Sequence, residues 1–254
     1  MLLRALTAAL VLSPGVAFAQ TSSVSPPNWS GVYAGVIAGA TIDRALTQTS
    51  VASPGAYFVT SDPSQIEAAG RGVIKTNHPI GGLRGGFDWQ HHRLVVGASI
   101  DATLHSFSAS RVVTATYRSF PSAGFTITQS PATNWLMTVT PRVGVATTNT
   151  MAYVSGGLAS ADLAYGSTFT DQAYFAFEHT MRSERVTGWT GGAGLEHQLA
   201  GKVTVGAEYL WVQLPRLAAI GNVTQTYGAT GVTLLDSVRP RMHVVRVALN
   251  YRIR

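Results

Sequence analysis

The side chains with chemical potential in this 254-residue chain are few and scattered. His91-His92 is a candidate metal pair, but the two stand as neighbours in a short turn, so their rings diverge. No cysteine or carboxylate cluster beside them completes a ligand set. His105-Ser106 has the composition of an acyl-transfer pair, in which a base must reach the nucleophile and be oriented by a third group. Adjacent strand residues point to opposite faces, which argues against that use. Gly81-Gly82 and Gly191-Gly192 lack the strand-to-helix setting that a phosphate loop needs, and they fit thinning of a sheet wall instead. No catalytic residue, metal or cofactor is expected.

The acids and arginines offer a clearer pattern: Arg84, Asp88, Asp101, Arg142, Glu196, Glu208, Arg246 and Arg252 recur within segments that otherwise alternate apolar with small or polar residues. Eight such segments run approximately from Trp29 to Ile42, Ile80 to Gln90, Arg93 to His105, Asn134 to Ala146, Thr150 to Asp162, Arg185 to Gln198, Val203 to Leu214 and His243 to Ile253. They are longer than an average soluble strand and match the 9–11 residues that cross a bilayer at a tilt. In the last segment Val245, Val247, Leu249, Tyr251 and Ile253 share one face, opposite Arg246, Ala248, Asn250 and Arg252. Taking the apolar parity as the lipid face puts all eight charges on the other side, inside a ring. A slip of one residue would put every one of them into lipid. Arg84, Arg142 and Arg246 are expected to pair with Asp88, Asp101, Glu196 and Glu208 and to block a channel, because an unpaired buried charge is far costlier than a paired one. The other readings of the same charges are a narrow pore lining and catalytic carboxylates.

The connections alternate too. Short turns at His91-His92, Thr147 to Asn149 and Leu199 to Lys202 oppose long connections from Asp43 to Pro79, Ser106 to Thr133, Leu163 to Glu184 and Pro215 to Met242. Gly201 and Asn149 can supply positive φ. Short periplasmic turns and long external loops are the pattern of an outer-membrane barrel. Trp29, Trp89, Trp135, Trp189 and Trp211 lie near segment ends with the apolar parity. With Tyr33, Tyr153, Tyr209 and Tyr251 they are expected to form two aromatic girdles at headgroup level. Pro141 cannot donate to a ladder, so a bulge or local edge is expected there.

Composition agrees with an exported barrel. Arg4, the apolar Ala5 to Leu12, Pro14-Gly15 and Ala17-Phe18-Ala19 are laid out as a signal peptide, with residues 1–19 removed before Gln20 and residues 20–254 forming one all-β domain. Charged residues are 12% of the chain, against about 25% in ordinary globular domains. There is no cysteine to form a disulfide. The net charge is +6, yet only Lys75 and Lys202 are lysines and the basic residues do not cluster, so nucleic acid is not an expected partner.

Asn28-Trp29-Ser30-Gly31-Val32-Tyr33-Ala34-Gly35 resembles the opening strand of the small opacity-type, porin-like outer-membrane proteins, which include bacterial surface immunogens. Val244-Val245-Arg246-Val247-Ala248-Leu249-Asn250-Tyr251-Arg252 resembles their closing strand, and Gly156 to Ala159 and Gly206 to Tyr209 are similar to internal ones. The resemblance implies an eight-stranded antiparallel transmembrane barrel, membrane lipid around it, and recognition of the last strand by the barrel-insertion machinery. Where that family ends in an aromatic residue, this chain has Ile253 followed by Arg254. External connections rich in Ser, Thr, Gly and aromatics suit a host or surface ligand. The expected function is a non-enzymatic envelope protein. A narrow porin and a lipid A-modifying enzyme are the alternatives, and a soluble exported β-sandwich lectin is the alternative fold.

Overall fold

A computed structural model describes residues 28–173, 175–225 and 228–253. The expected signal segment and Arg254 lie outside the described residues. Ten strands and one helix follow in the order β1 (Gly31–Ser53), α1 (Asp62–Gly70), β2 (Gly72–His91), β3 (Leu94–Ser108), β4 (Arg111–Thr116), β5 (Gly124–Ala146), β6 (Thr150–Asp171), β7 (Phe177–Ala200), β8 (Val203–Gln213), β9 (Leu217–Gln225) and β10 (Gly228–Ile253). Antiparallel pairing runs β1-β2-β3-β5-β6-β7-β8-β10, and β10 pairs with β1 from Val32↔Ile253 to Ser53↔Thr233. The result is a closed up-and-down barrel of eight strands. The short β4 and β9 lie against β5 and β10 at one end. Closure leaves no free edge around the waist.

At one end the connections are tight. His92, at φ 56°, turns β2 into β3, and Gly201, at φ 55°, turns β7 into β8. Asn149, expected to supply a positive φ in the β5–β6 turn, does not; that turn forms without one.

Around the waist the outward side chains are apolar and exposed: Val32 and Val36, Leu83 and Phe87, Val96 and Ile100, Val139 and Val143, Val154 and Leu158, Leu195, Val245, Val247 and Leu249. The outward face then changes abruptly. Arg44, Lys75, Asn77, Ser106, Asn134 and Arg185 follow along the same strands toward the far end. Arg185 pairs with Asp162 at 2.9 Å on this rim.

Two expectations about the strands are corrected. The stretches expected as long loops are mostly strand: β1 has 23 residues, β7 has 24 and β10 has 26. That is about twice what a bilayer crossing needs. Beyond the apolar waist the barrel wall continues as a turret whose outer face is mostly polar, with Val73, Val112, Met181 and Ile220 exposed among the polar residues. Of the two outcomes expected at Pro141, a bulge or a local edge, there is no bulge but a local gap in pairing. The β5–β6 ladder lapses at Thr140 and Pro141 and resumes in the same register, with Val139↔Leu158 and Arg142↔Ser155 on either side. The register shift lies instead between Thr133 and Met137.

A third correction concerns the aromatics. Trp29, Tyr33 and Tyr153 are buried in the lumen, not on the lipid side. Trp89, Trp189, Tyr209 and Tyr251 are exposed outside, and Trp135 and Trp211 are half-buried there. The physical reason is that Arg142 and Arg252 point inward at the same level, and aromatic faces are their natural cover.

Candidate functional site

The lumen is filled in layers, and its chemistry follows from which strand residues share the inward parity. Nearest the tight turns, Trp29, Val95, Ala146, Met151 and Tyr153 form an apolar floor. The Trp29 backbone N–H donates to Gln90 Oε1 at 2.7 Å, which fixes the chain entry.

Above the floor lie two ionic quartets. In the lower one, Arg142 donates to both oxygens of Asp88, at 2.9 and 2.6 Å, and to Glu196 at 3.2 Å. Arg252 bridges the same two acids, at 2.9 Å to Asp88 and 3.4 Å to Glu196, and also donates to the Trp29 carbonyl. Thr204 and Asn250 supply further donors to Glu196. The Arg142 guanidinium is held between the Tyr33 and Tyr153 rings, 4.8 and 4.9 Å from their centroids, and Arg252 lies 4.7 Å from the Trp29 ring.

In the upper quartet, Arg84 reaches Asp101 at 2.6 Å and Glu208 at 2.5 Å, while Arg246 reaches the same pair at 2.6 and 2.8 Å. Arg84 and Asp101 are direct cross-strand neighbours, as are Arg246 and Glu208, so each quartet side is set by register and the diagonals cross the lumen. All eight charged residues are buried. Asp88 and Arg142 belong to strands that both flank β3, each opposite Gly97. A Cβ at Gly97 would overlap Asp88 Oδ1, so the bidentate contact across β3 depends on that glycine.

Above the quartets Asp43, His78 and His105 converge from β1, β2 and β3. In the sequence they lie far apart, with no motif joining them. The signal that could have joined them is shared inward parity on three consecutive strands. Ser106 points outward while His105 points inward, and neither His105 nitrogen has a hydrogen-bond partner, so that pair makes no nucleophile–base couple. His91 and His92 are exposed in their turn, with no carboxylate converging on them among the described residues.

The lumen then turns apolar, with Leu163, Leu210, Val212, Leu214 and Met242 among the buried residues. In the turret a polar layer follows. Gln129 accepts from Thr47 at 2.7 Å, and Thr49 donates to Asp236 at 2.5 Å. The cap is apolar again, with Phe58, Ile66, Phe125, Phe169, Val223 and Leu234 packed together. Between the connections at the very top, Phe58, Asp62, Tyr117, Ser119, Phe120 and Asp171 line a cavity of about 210 Å³. There Tyr117 donates to Asp171 at 2.6 Å and Ser119 donates to Asp62 at 2.6 Å.

Glu178 is buried in the turret without a cation. Burial, reinforced by the Asp236 charge, pushes its carboxyl up to about 8, and burial raises Asp236 in the same direction. Its space exists because Gly221 has no Cβ, which would overlap Glu178 Oε1.

Two outcomes are expected. Asp101→Asn leaves Arg84 and Arg246 competing for Glu208, and should cost about 3–5 kcal/mol in urea unfolding of the detergent-folded protein. The neutral pair Asp101→Leu with Arg246→Met should recover most of that loss. The second outcome concerns pH. The folded Glu178 holds a proton that the unfolded chain releases, so its contribution is full below about pH 4.5 and lost as pH rises through about 8. Unfolding midpoints should therefore fall across this window more steeply in the wild-type protein than in Glu178→Gln; equal slopes would refute the assignment.

No family model matches the chain, and no curated protein matches it. Solved structures align with it at low similarity, outer-membrane proteins among them. The outer membrane protein OprG from Pseudomonas aeruginosa aligns at 11% identity and TM-score 0.46, over 89% of this chain and 98% of that one. The outer membrane protease OmpT from Escherichia coli aligns at 11% identity and TM-score 0.38, over 92% and 99%. Ail, the attachment invasion locus protein of Yersinia pestis, aligns at 11% identity and TM-score 0.34, over 87% and 99%.

Proposed function

We propose that this chain is a non-enzymatic outer-membrane barrel with a closed lumen, serving as a structural and surface-interaction protein through its projecting turret. The observation that carries this reading is the pair of neutral ionic quartets, buried between an apolar floor and an apolar upper lumen. A conducting pore keeps its charged lining wet, whereas these eight side chains are at most 6% exposed. An acyl- or peptidyl-transfer site needs a nucleophile held against its base, and His105 has no such partner.

The apolar waist is the hydrocarbon-facing surface, since a water-exposed patch on that scale is foreign to monomeric soluble proteins. Trp89 and Tyr251 then lie toward the periplasmic headgroups. Trp135, Trp189, Trp211 and Tyr209 lie toward the outer ones, where Trp189 and Trp211 pack edge to face at 4.3 Å. The tight turns are periplasmic and the turret faces outward, where its top surface is the place for a host or surface ligand. The outward alternation of β10, ending at Ile253, is the feature offered to the insertion machinery during assembly.

Two measurements test the proposal. In planar bilayers the folded protein should give no steady channel; a large sustained conductance would overturn the closed lumen. Trypsin applied to intact cells should cut at Arg118 and Arg216, which are exposed outside the strands, and spare Lys75, Arg182 and Arg185 within the turret wall. Cutting at Arg93 or Lys202 in the tight turns would invert the orientation.

A further inference from the structure

Three strands bring Asp43, His78 and His105 to one point in the lumen, with one ligand atom from each lying within 4.8 Å of the others. His78 Nδ1 is 3.4 Å from Asp43 Oδ2, and His105 Nε2 is 3.6 Å from Asp43 Oδ1. The two rings meet edge to face at 4.6 Å. Thr41 donates its hydroxyl to Asp43 Oδ1 at 2.8 Å, fixing the carboxylate. Asp43 is 3% exposed and His105 1%, and His78 is partly exposed with its ring nitrogens buried.

The imidazoles are unexplained by the rest of the fold. None of their four nitrogens has a hydrogen-bond partner, nor has Asp43 Oδ2. Each unmet buried polar atom costs about 1–3 kcal/mol, and native proteins seldom leave several together. The four lumenal arginines are committed to the quartets below, and the ion-pair partners found for Asp43 among the described residues are the two imidazoles. Neighbouring ligands held about 2.0–2.2 Å from a tetrahedral ion lie roughly 3.3–3.6 Å from one another. The two carboxylate-to-imidazole separations fall in that range, one to each carboxylate oxygen, so Asp43 would offer the ion both oxygens or swing one toward it.

We propose that Asp43, His78 and His105 form a binding site for a divalent transition-metal ion, with zinc the best chemical fit. Two nitrogens and one carboxylate favour zinc-type ions over magnesium or calcium, which take oxygen ligands. Three protein ligands leave a coordination position for water. The ion would offset the Asp43 charge, satisfy one nitrogen of each imidazole and tie β1, β2 and β3 together where the lumen changes from ionic to apolar.

The test uses untagged protein refolded into detergent with Co²⁺ or Zn²⁺ present, because a buried site loads most readily as it forms. Excess metal is then removed by gel filtration. One metal per chain is expected by elemental analysis, with visible Co²⁺ absorption of a low-coordinate site that Zn²⁺ abolishes. Loss of an outer-sphere partner alone weakens metal sites by about 10–100-fold, so Asp43→Asn and His105→Ala should weaken this one by about 100-fold or more. His105→Gln preserves volume and polarity should the alanine variant fail to fold, and heat-modifiable gel migration reports folding of each. His91→Ala/His92→Ala should keep the site intact. Wild-type protein that folds without stoichiometric metal would overturn the proposal, as would uptake unaffected by Asp43→Asn and His105→Gln.

Discussion

Closing eight strands into a ring leaves an interior only wide enough for side chains, and this imposes charge neutrality on whatever points inward. A guanidinium placed there has lost its water and must find carboxylates instead. The chain meets the requirement twice, with two arginines and two acids in each quartet and every arginine touching both acids. The lower quartet draws on β2, β5, β7 and β10, and the upper on β2, β3, β8 and β10. Strands that never pair are thereby braced across the lumen. Hydrogen bonds around the wall fix neighbours; the quartets fix which strands stand opposite.

The same sheet serves two solvents. Around the waist apolar residues face out and charges face in, so that β10 shows Val245, Val247 and Leu249 outside and Arg246 inside. In the turret water bathes the outer face, and the order reverses: the same strand buries Val232, Leu234 and Val238 inside. In β6 the outward Val154 and Leu158 give way to the inward Leu163, Tyr165 and Phe169. The apolar parity changes sides while β10 stays in register with β1 and β6 with β7; on the other flank the β5–β6 register shifts and β10 passes from β8 to β9. Strands can therefore be about twice the length a bilayer demands and still bury apolar area along their whole course.

That reversal explains what the sequence shows and what it hides. Alternation is legible wherever one phase holds, so the eight waist segments, their tight turns and the inward parity of Arg84, Asp88, Asp101, Arg142, Glu196, Glu208, Arg246 and Arg252 can be read directly. Where the phase flips, the pattern loses coherence, and the Ser- and Thr-rich continuation of β5 or β10 has the composition of a loop. Trp29 and Tyr33 are misread for a related reason: Ala and Gly occupy both faces of β1, so the tryptophan seems to define the lipid side. In the structure Asp43 shares their parity and is buried in the lumen. With Asp43 inward, Trp29 and Tyr33 follow, and Val32 and Val36 turn out to lipid.

The buried carboxylates can be ordered by what offsets their charge. Asp88, Asp101, Glu196 and Glu208 have guanidiniums, two apiece. Glu178 has no ion-pair partner among the described residues, and burial pushes its carboxyl up to about 8, favouring the protonated form. Asp43 belongs to neither group. Its arginine neighbour in sequence, Arg44, points to the other face, as alternation requires, and the inward groups offered by the next two strands are imidazoles. Imidazoles aimed at a carboxylate in the barrel interior, with every ring nitrogen lacking a hydrogen-bond partner, make a poor ion pair and a serviceable ligand set. Around the waist each buried acid is matched by guanidiniums, and Asp43, just above them, is left to be matched by a cation from outside the chain.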